Sequence, residues 1–178
     1  MEDYEDVILP YEDPLIINPL IGQNKIWKVL VDTGSSANIL FHKTYCKMNL
    51  VGEQLDPCNE SFGGHPIQFE GTITPPILLG KLPYTVEKPV KFYVVRIKSL
   101  YNAILGRQSL STFEAVESIP HLKFKFPTKK GEGDMRGDLK TARIISWRTW
   151  RKIRPMRSQM KLEIENESKQ SLVGVERP

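Results

Sequence analysis

The segment Val31-Asp32-Thr33-Gly34-Ser35 places one carboxylate in a tight turn directly after an apolar run, Ile26 to Val31. Gly34 lets the backbone approach that carboxylate and direct an N–H group at it. The hydroxyls of Thr33 and Ser35 can hydrogen-bond locally or across an interface. A carboxylate held by several donors stays ionised and can act as a base. Taken alone, however, this triplet is a common turn after a strand, so its meaning depends on the rest of the chain.

A single carboxylate cannot both deprotonate a water and protonate a leaving amine in one geometry, whereas two carboxylates that share a proton can. Like charges at about 3 Å cannot both ionise, so one carboxyl group titrates low and the other high. The chain contains one Asp-Thr-Gly triplet and no Asp-Ser-Gly triplet. If Asp32 works in such a pair, the second Asp must come from another subunit.

Short apolar and β-branched runs, separated by turn residues, dominate the chain from Pro14 to Phe126. Strands are predicted at Leu15 to Leu20, Ile26 to Val31, Ile77 to Leu79, Val90 to Ile97, Ala103 to Leu105 and His121 to Phe126. A hairpin is predicted around Gly63-Gly64, and short helices are predicted within Ser36 to Leu50 and over Gln108 to Glu114. The pattern predicts a mainly β, closed or barrel-like domain with one or two short helices.

Charge is distributed unevenly along the 178 residues, although the net charge is only +4. The first 13 residues are acidic, whereas the stretch from Lys140 to Lys161 is basic and contains no acid. Cys46 and Cys58 have neither disulfide-scaffold nor metal-site spacing, which fits a reducing compartment. No signal-peptide pattern or membrane-spanning apolar run is present, so we expect an intracellular, most simply cytoplasmic, protein without membrane partners. No cofactor or metal is expected.

Several motifs follow one another along the chain: the run from Leu30 to Phe41 around Asp32, Phe62-Gly63-Gly64, Phe92-Tyr93-Val94-Val95, Tyr101-Asn102-Ala103-Ile104-Leu105-Gly106-Arg107, Lys125-Phe126-Pro127-Thr128 with Gly131, and Arg136-Gly137-Asp138. Together they resemble the retropepsin family of aspartic proteases, and specifically the protease segment of plant Gypsy-type LTR retrotransposon polyproteins. The resemblance extends from about residue 13 to residue 143. It implies a retropepsin-like closed barrel, with one lobe of the acid-protease fold per chain.

The resemblance also implies a role for each matching residue. Asp32 would be the catalytic carboxylate that activates water, Thr33 would bond across the dimer floor, and Gly34 would line the cleft. Ser35 would complete the active-site turn. Phe62, Gly63 and Gly64 would form the tip of a flap that closes over a peptide. The residues implied to support the active-site floor are Ile104, Leu105, Gly106 and Arg107.

Two departures from the family pattern stand out. Many retroviral members carry an acid four positions after the catalytic Asp, as a partner for the arginine, but Ser36 occupies that position here. After Arg143 the sequence leaves the plant-element pattern. The predicted organisation is therefore an acidic leader (1–13), a protease domain (14–126), a family extension (127–143) and a basic, then polar tail (144–178) that we expect to be poorly ordered.

Three function classes remain open on the sequence. The first is a homodimeric aspartic endopeptidase that cleaves a retroelement polyprotein. The second is a catalytically silent, retroelement-derived dimerisation or binding module. The third is a nucleic-acid-binding fragment that acts through residues 140–161, where Trp147 and Trp150 lie among arginines. For that tail we favour a solvated linker, and for the chain we favour the endopeptidase.

Overall fold

The computed structural model describes residues 13–48, 55–58, 69–118 and 120–149. The chain divides into two units after Ala142. Within the described residues, the first unit contains thirteen strands, two short helices and the start of a third helix at residue 139. The strands are β1 (Ile16–Ile17), β2 (Leu20–Ile21), β3 (Asn24–Lys25), β4 (Val29–Val31), β5 (Ile39–Phe41), β6 (Phe69–Ile73), β7 (Pro76–Lys81), β8 (Tyr84–Pro89), β9 (Phe92–Val95), β10 (Ala103–Leu105), β11 (Val116–Ser118), β12 (Lys123–Thr128) and β13 (Gly131–Arg136), and the helices are α1 (His42–Met48) and α2 (Arg107–Phe113).

The largest sheet has six strands in the order β1-β4-β10-β5-β9-β6. Strand β10 pairs in parallel with β4 and antiparallel with β5, and β5 pairs in parallel with β9. Every residue of β9 is buried, as expected for an interior strand that is covered on both faces. Because β10 pairs with β4, the chain returns after a long connection to lie beside the strand that leads into Asp32.

Two smaller sheets complete the β structure, with strand orders β11-β12-β13 and β3-β2-β7-β8. The predicted alternation at His121 to Phe126 is confirmed, because Phe124 and Phe126 of β12 are buried and Lys125 between them is exposed. Side chains from all three sheets meet in one core cluster that also includes Phe113 of α2. This shared core holds the sheets together through apolar burial.

The mainly β prediction is confirmed, but the described strands form three separate sheets and do not close into a barrel. The break between β6 and β7 has a local cause. Pro75 and Pro76 follow Ile73, and because proline has no backbone N–H it cannot continue a ladder of hydrogen bonds. Strand β7 accordingly pairs with β2 and β8 and not with the six-stranded sheet.

Residues 139–149 are helical, which makes three described helices, whereas the sequence pattern predicted one or two. The first turn is capped by Asp138, whose carboxylate accepts hydrogen bonds from the Thr141 N–H (3.0 Å) and hydroxyl (2.8 Å). The sequence signal for this start was available, since an Asp directly before an apolar-periodic segment is a typical N-cap. The helix begins inside the predicted family extension and continues into the predicted tail.

Candidate active site

Asp32 directly follows β4, and hydrogen bonds on either side hold its turn. Its N–H donates to the Leu105 carbonyl oxygen at 3.0 Å, and its own carbonyl accepts from the Ser35 N–H at 3.2 Å. The Gly34 N–H donates to Asp32 Oδ1 at 2.9 Å. The carboxylate is thus oriented by a backbone donor while remaining partly exposed to solvent.

The segment Ile104-Leu105-Gly106 lies beside this turn. In the parallel pair of β10 and β4, Leu105 is opposite Val31, the residue before Asp32. A Cβ atom on Gly106 would lie 2.5 Å from the Ala37 carbonyl oxygen and 2.7 Å from the Ser35 carbonyl oxygen. Both are backbone atoms, so only glycine allows the end of β10 to approach the residues that follow Asp32 so closely.

Arg107 continues this contact through its backbone. Its N–H donates to the Ser35 carbonyl oxygen at 2.9 Å, while its side chain is exposed at the start of α2. The absence of an acid at Ser36 is therefore accommodated by a guanidinium that faces solvent. The backbone hydrogen bond from Arg107 to Ser35 joins the start of α2 to the turn.

Asn38 connects the parts of this site, although no local sequence pattern distinguishes it from its neighbours. It is 1% exposed, and its Oδ1 accepts from the Gly106 N–H (2.9 Å) and from the Ser109 hydroxyl (2.6 Å). Its Nδ2 donates to the Lys91 carbonyl oxygen at 3.0 Å. One buried amide side chain thus ties the residues after Asp32 to the start of α2 and to the approach to β9.

Tyr101 and Glu117 share a shallow concavity with Asp32 and Thr33. Burial, followed by the negative charge of Asp32, raises the pKa of the Glu117 carboxyl above its usual value. The same two causes raise the pKa of the Tyr101 phenol. The structure therefore places a second acidic side chain of the same chain in the electrostatic field of Asp32. Tyr101 belongs to the motif from Tyr101 to Arg107, but no local sequence pattern distinguishes Glu117 on β11.

The structure brings together Asp32, Thr33, Gly34, Ser35, Ile104, Leu105, Gly106 and Arg107. Thr33 and Gly34 are exposed, and the Ser35 hydroxyl donates to the Ala37 carbonyl oxygen at 2.9 Å. The predicted flap residues Phe62, Gly63 and Gly64 lie outside the described residues. Within the part of the chain that is described, no three His, Cys, Asp or Glu side chains are grouped so that they could hold a metal ion. No helix in that part has the length and apolar character to cross a membrane.

Comparison with solved structures identifies the fold. The retroviral protease-like domain of Ddi1 from Leishmania major superposes with a TM-score of 0.55 at 18% identity, covering 71% of this chain and 94% of that domain. The fold is retropepsin-like.

Two further retropepsin-like aspartic proteases are similar. An EIAV protease bound to an inhibitor has a TM-score of 0.44 and 21% identity, over 62% of this chain and 97% of that one. A retropepsin-like aspartic protease from Rickettsia conorii has a TM-score of 0.41 and 22% identity, over 67% and 80% of the two chains. No protein-family profile and no curated protein matches the sequence.

Proposed function

We propose that this protein is an aspartic endopeptidase of the retropepsin kind, active as a homodimer with one Asp32 from each chain. The observation that carries the proposal is the placement of Asp32 on a retropepsin-like fold. Its carboxylate accepts a hydrogen bond from the Gly34 N–H at 2.9 Å and stays partly exposed. The turn is hydrogen-bonded to the end of β10. The single Asp-Thr-Gly triplet supports the requirement for a second chain.

In the proposed dimer the two Asp32 carboxyl groups share one proton. The ionised carboxylate takes a proton from water as the water oxygen attacks the carbonyl carbon of the scissile peptide. The protonated carboxyl supplies the proton that the leaving amine acquires when the C–N bond breaks. The mechanism needs one carboxyl group ionised and the other protonated. Activity should therefore be greatest between the two apparent pKa values of the pair, at mildly acidic pH.

The remaining site residues have supporting roles in this proposal. Thr33 bonds across the dimer floor, and Ser35 and Gly106 fix the turn through the contacts described above. Phe62, Gly63 and Gly64 are proposed as the flap tip that closes over the peptide and excludes water. The proposed substrate is a retroelement polyprotein, on the strength of the sequence resemblance to plant Gypsy-type elements.

The test is cleavage of a peptide library by the purified full-length chain, with mass in solution measured on the same sample. We expect a dimer, cleavage at mildly acidic pH and inhibition by a statine-type transition-state mimic. Asp32→Asn should abolish cleavage, because an amide cannot accept the proton from water. Asp134→Asn, at an exposed position on β13, is the matched control and should cleave as well as the wild type.

The second function class is distinguished by the same experiment. A clean dimer that cleaves no peptide would contradict the endopeptidase proposal and favour a silent dimerisation module. Equal cleavage by the wild type and by Asp32→Asn would show that any activity arises elsewhere.

A further inference from the structure

A second cluster of reactive side chains lies on α1 and the strands beside it. Cys46 Sγ is 3.3 Å from His42 Nε2, one helical turn earlier on α1. The other ring nitrogen, His42 Nδ1, contacts Glu70 Oε2. Arg96 Nε in turn donates to Glu70 Oε1 at 2.6 Å. The chain therefore holds a thiol, an imidazole, a carboxylate and a guanidinium in series.

The strand registers place this cluster at the end of the six-stranded sheet away from Asp32. Strands β4 and β10 run in parallel toward Asp32, whereas β5 runs antiparallel to β10, so that Phe41 lies at the opposite end. Strand β9 runs parallel to β5 with Val95 opposite Phe41, and Phe69 pairs with Val95. His42, Glu70 and Arg96 each follow one of these three residues. The cluster is thus independent of the candidate active site.

The carboxylate determines which face of the imidazole is basic. Although burial opposes ionisation of Glu70, the hydrogen bonds from Arg96 and His42 and the positive charge of Arg96 hold the pKa of this carboxyl below its usual value. An ionised Glu70 accepts only hydrogen bonds, so His42 Nδ1 must carry the proton. In the neutral ring this leaves Nε2 as the acceptor that faces the thiol.

We propose that Cys46, His42 and Glu70 form a nucleophilic thiol site that is modified by small, soft carbon electrophiles. A nucleophile within reach of a base, which is itself oriented by a third group, is the arrangement that activates thiols. Cys46 is exposed, so a small electrophile can reach Sγ from solvent. In the reaction Sγ bonds to the electrophilic carbon, the thiol proton moves to His42 Nε2, and the leaving group departs with its electron pair. The resulting imidazolium faces the Glu70 carboxylate.

The test measures alkylation of the full-length chain by iodoacetamide at pH 7, with Cys46 and Cys58 resolved by peptide mass spectrometry. N-acetylcysteine in the same solution provides the reference rate, and iodide is the leaving group. A free thiol at pH 7 is only a few per cent thiolate, so complete proton transfer could raise its reactivity by at most about thirtyfold. We expect His42→Gln to slow alkylation of Cys46 by about threefold to thirtyfold and to leave Cys58 unchanged.

Two further measurements separate activation from a change in folding. Glu70→Gln should also slow Cys46, because a neutral amide no longer stabilises the imidazolium. The second measurement uses the wild-type protein unfolded in urea and needs no variant. In that state the alkylation rate of Cys46 should fall toward that of N-acetylcysteine. The proposal is overturned if Cys46 in the folded wild type reacts no faster than N-acetylcysteine. A loss of less than about threefold in a folded His42→Gln protein would overturn it as well.

Discussion

Replacement of Asn38 by alanine is the sharpest test of how the site is held together. Asn38→Ala removes the acceptor of the Gly106 N–H and of the Ser109 hydroxyl, and also the donor to the Lys91 carbonyl. Gly106 and Ser109 are both buried, whereas Lys91 is exposed. Water can therefore replace the lost bond at Lys91 but cannot easily reach the other two groups.

The magnitude follows from this difference. A buried polar group left without a partner costs about 1–3 kcal/mol, and rotation of the Ser109 hydroxyl will recover part of its share. We therefore expect Asn38→Ala to lower the free energy of unfolding by about 3 kcal/mol. Because domains are stable by only about 5–15 kcal/mol, the loss should be large. For a chain of this size it corresponds to a fall of about 6–12 °C in melting temperature.

The assay is urea unfolding followed by circular dichroism, with the midpoint and the slope fitted separately. Ser109→Ala is the matched control. It removes one donor but leaves Asn38 Oδ1 bonded to Gly106, so it should cost only about 1 kcal/mol. If Asn38→Ala lowers the free energy of unfolding no more than Ser109→Ala does, then the Asn38 amide does not connect these segments.

Three further predictions concern residues near Asp32 and the N-cap of the helix at residues 139–149. Gly106→Ala should destabilise the protein by about 1–3 kcal/mol in urea unfolding, because its Cβ would overlap two backbone oxygens. Gly34→Ala meets only the Asp32 carboxylate, at 3.1 Å, and should cost less; equal losses would contradict this account. Glu117→Gln should stabilise the fold at neutral pH but not below the ordinary pKa of Glu. The pKa of Glu117 is raised first by burial and then by Asp32, so its ionisation as the pH rises opposes folding. A flat difference between pH 3 and 8 in parallel unfolding curves would refute this. Asp138→Ala should cost about 1 kcal/mol as a lost helix cap. Burial raises the pKa of Asp138, but hydrogen bonds outweigh that effect and lower it. The stabilisation by the cap should therefore disappear as acidification protonates Asp138, and a destabilisation by Asp138→Ala that persists at low pH would contradict this prediction.

Local sequence patterns predicted those strands and helices whose own residues show a clear periodicity or a boundary residue. Strand β10 has the predicted bounds because an apolar run of three residues is ended by Gly106. Strand β12 was recognisable from its alternation, and α2 from its position after that glycine. In contrast, β8 was not predicted, because most of its residues are polar and only partly buried or exposed. Its place in a sheet is decided by its pairing with β7.

The sequence by itself determined which chemistry is offered, namely a single Asp-Thr-Gly turn after an apolar strand. Only the tertiary structure decided what surrounds that turn. The parallel pairing of β4 with β10 joins segments more than seventy residues apart. Asn38 bonds to Lys91, 53 residues further along the chain, and Glu117 shares a concavity with Asp32 although the two residues are also far apart in the sequence. Residue periodicity reports which face of an element is buried, but it cannot report which distant element buries it. Which distant element covers that face is decided by how the side chains of the whole core pack together.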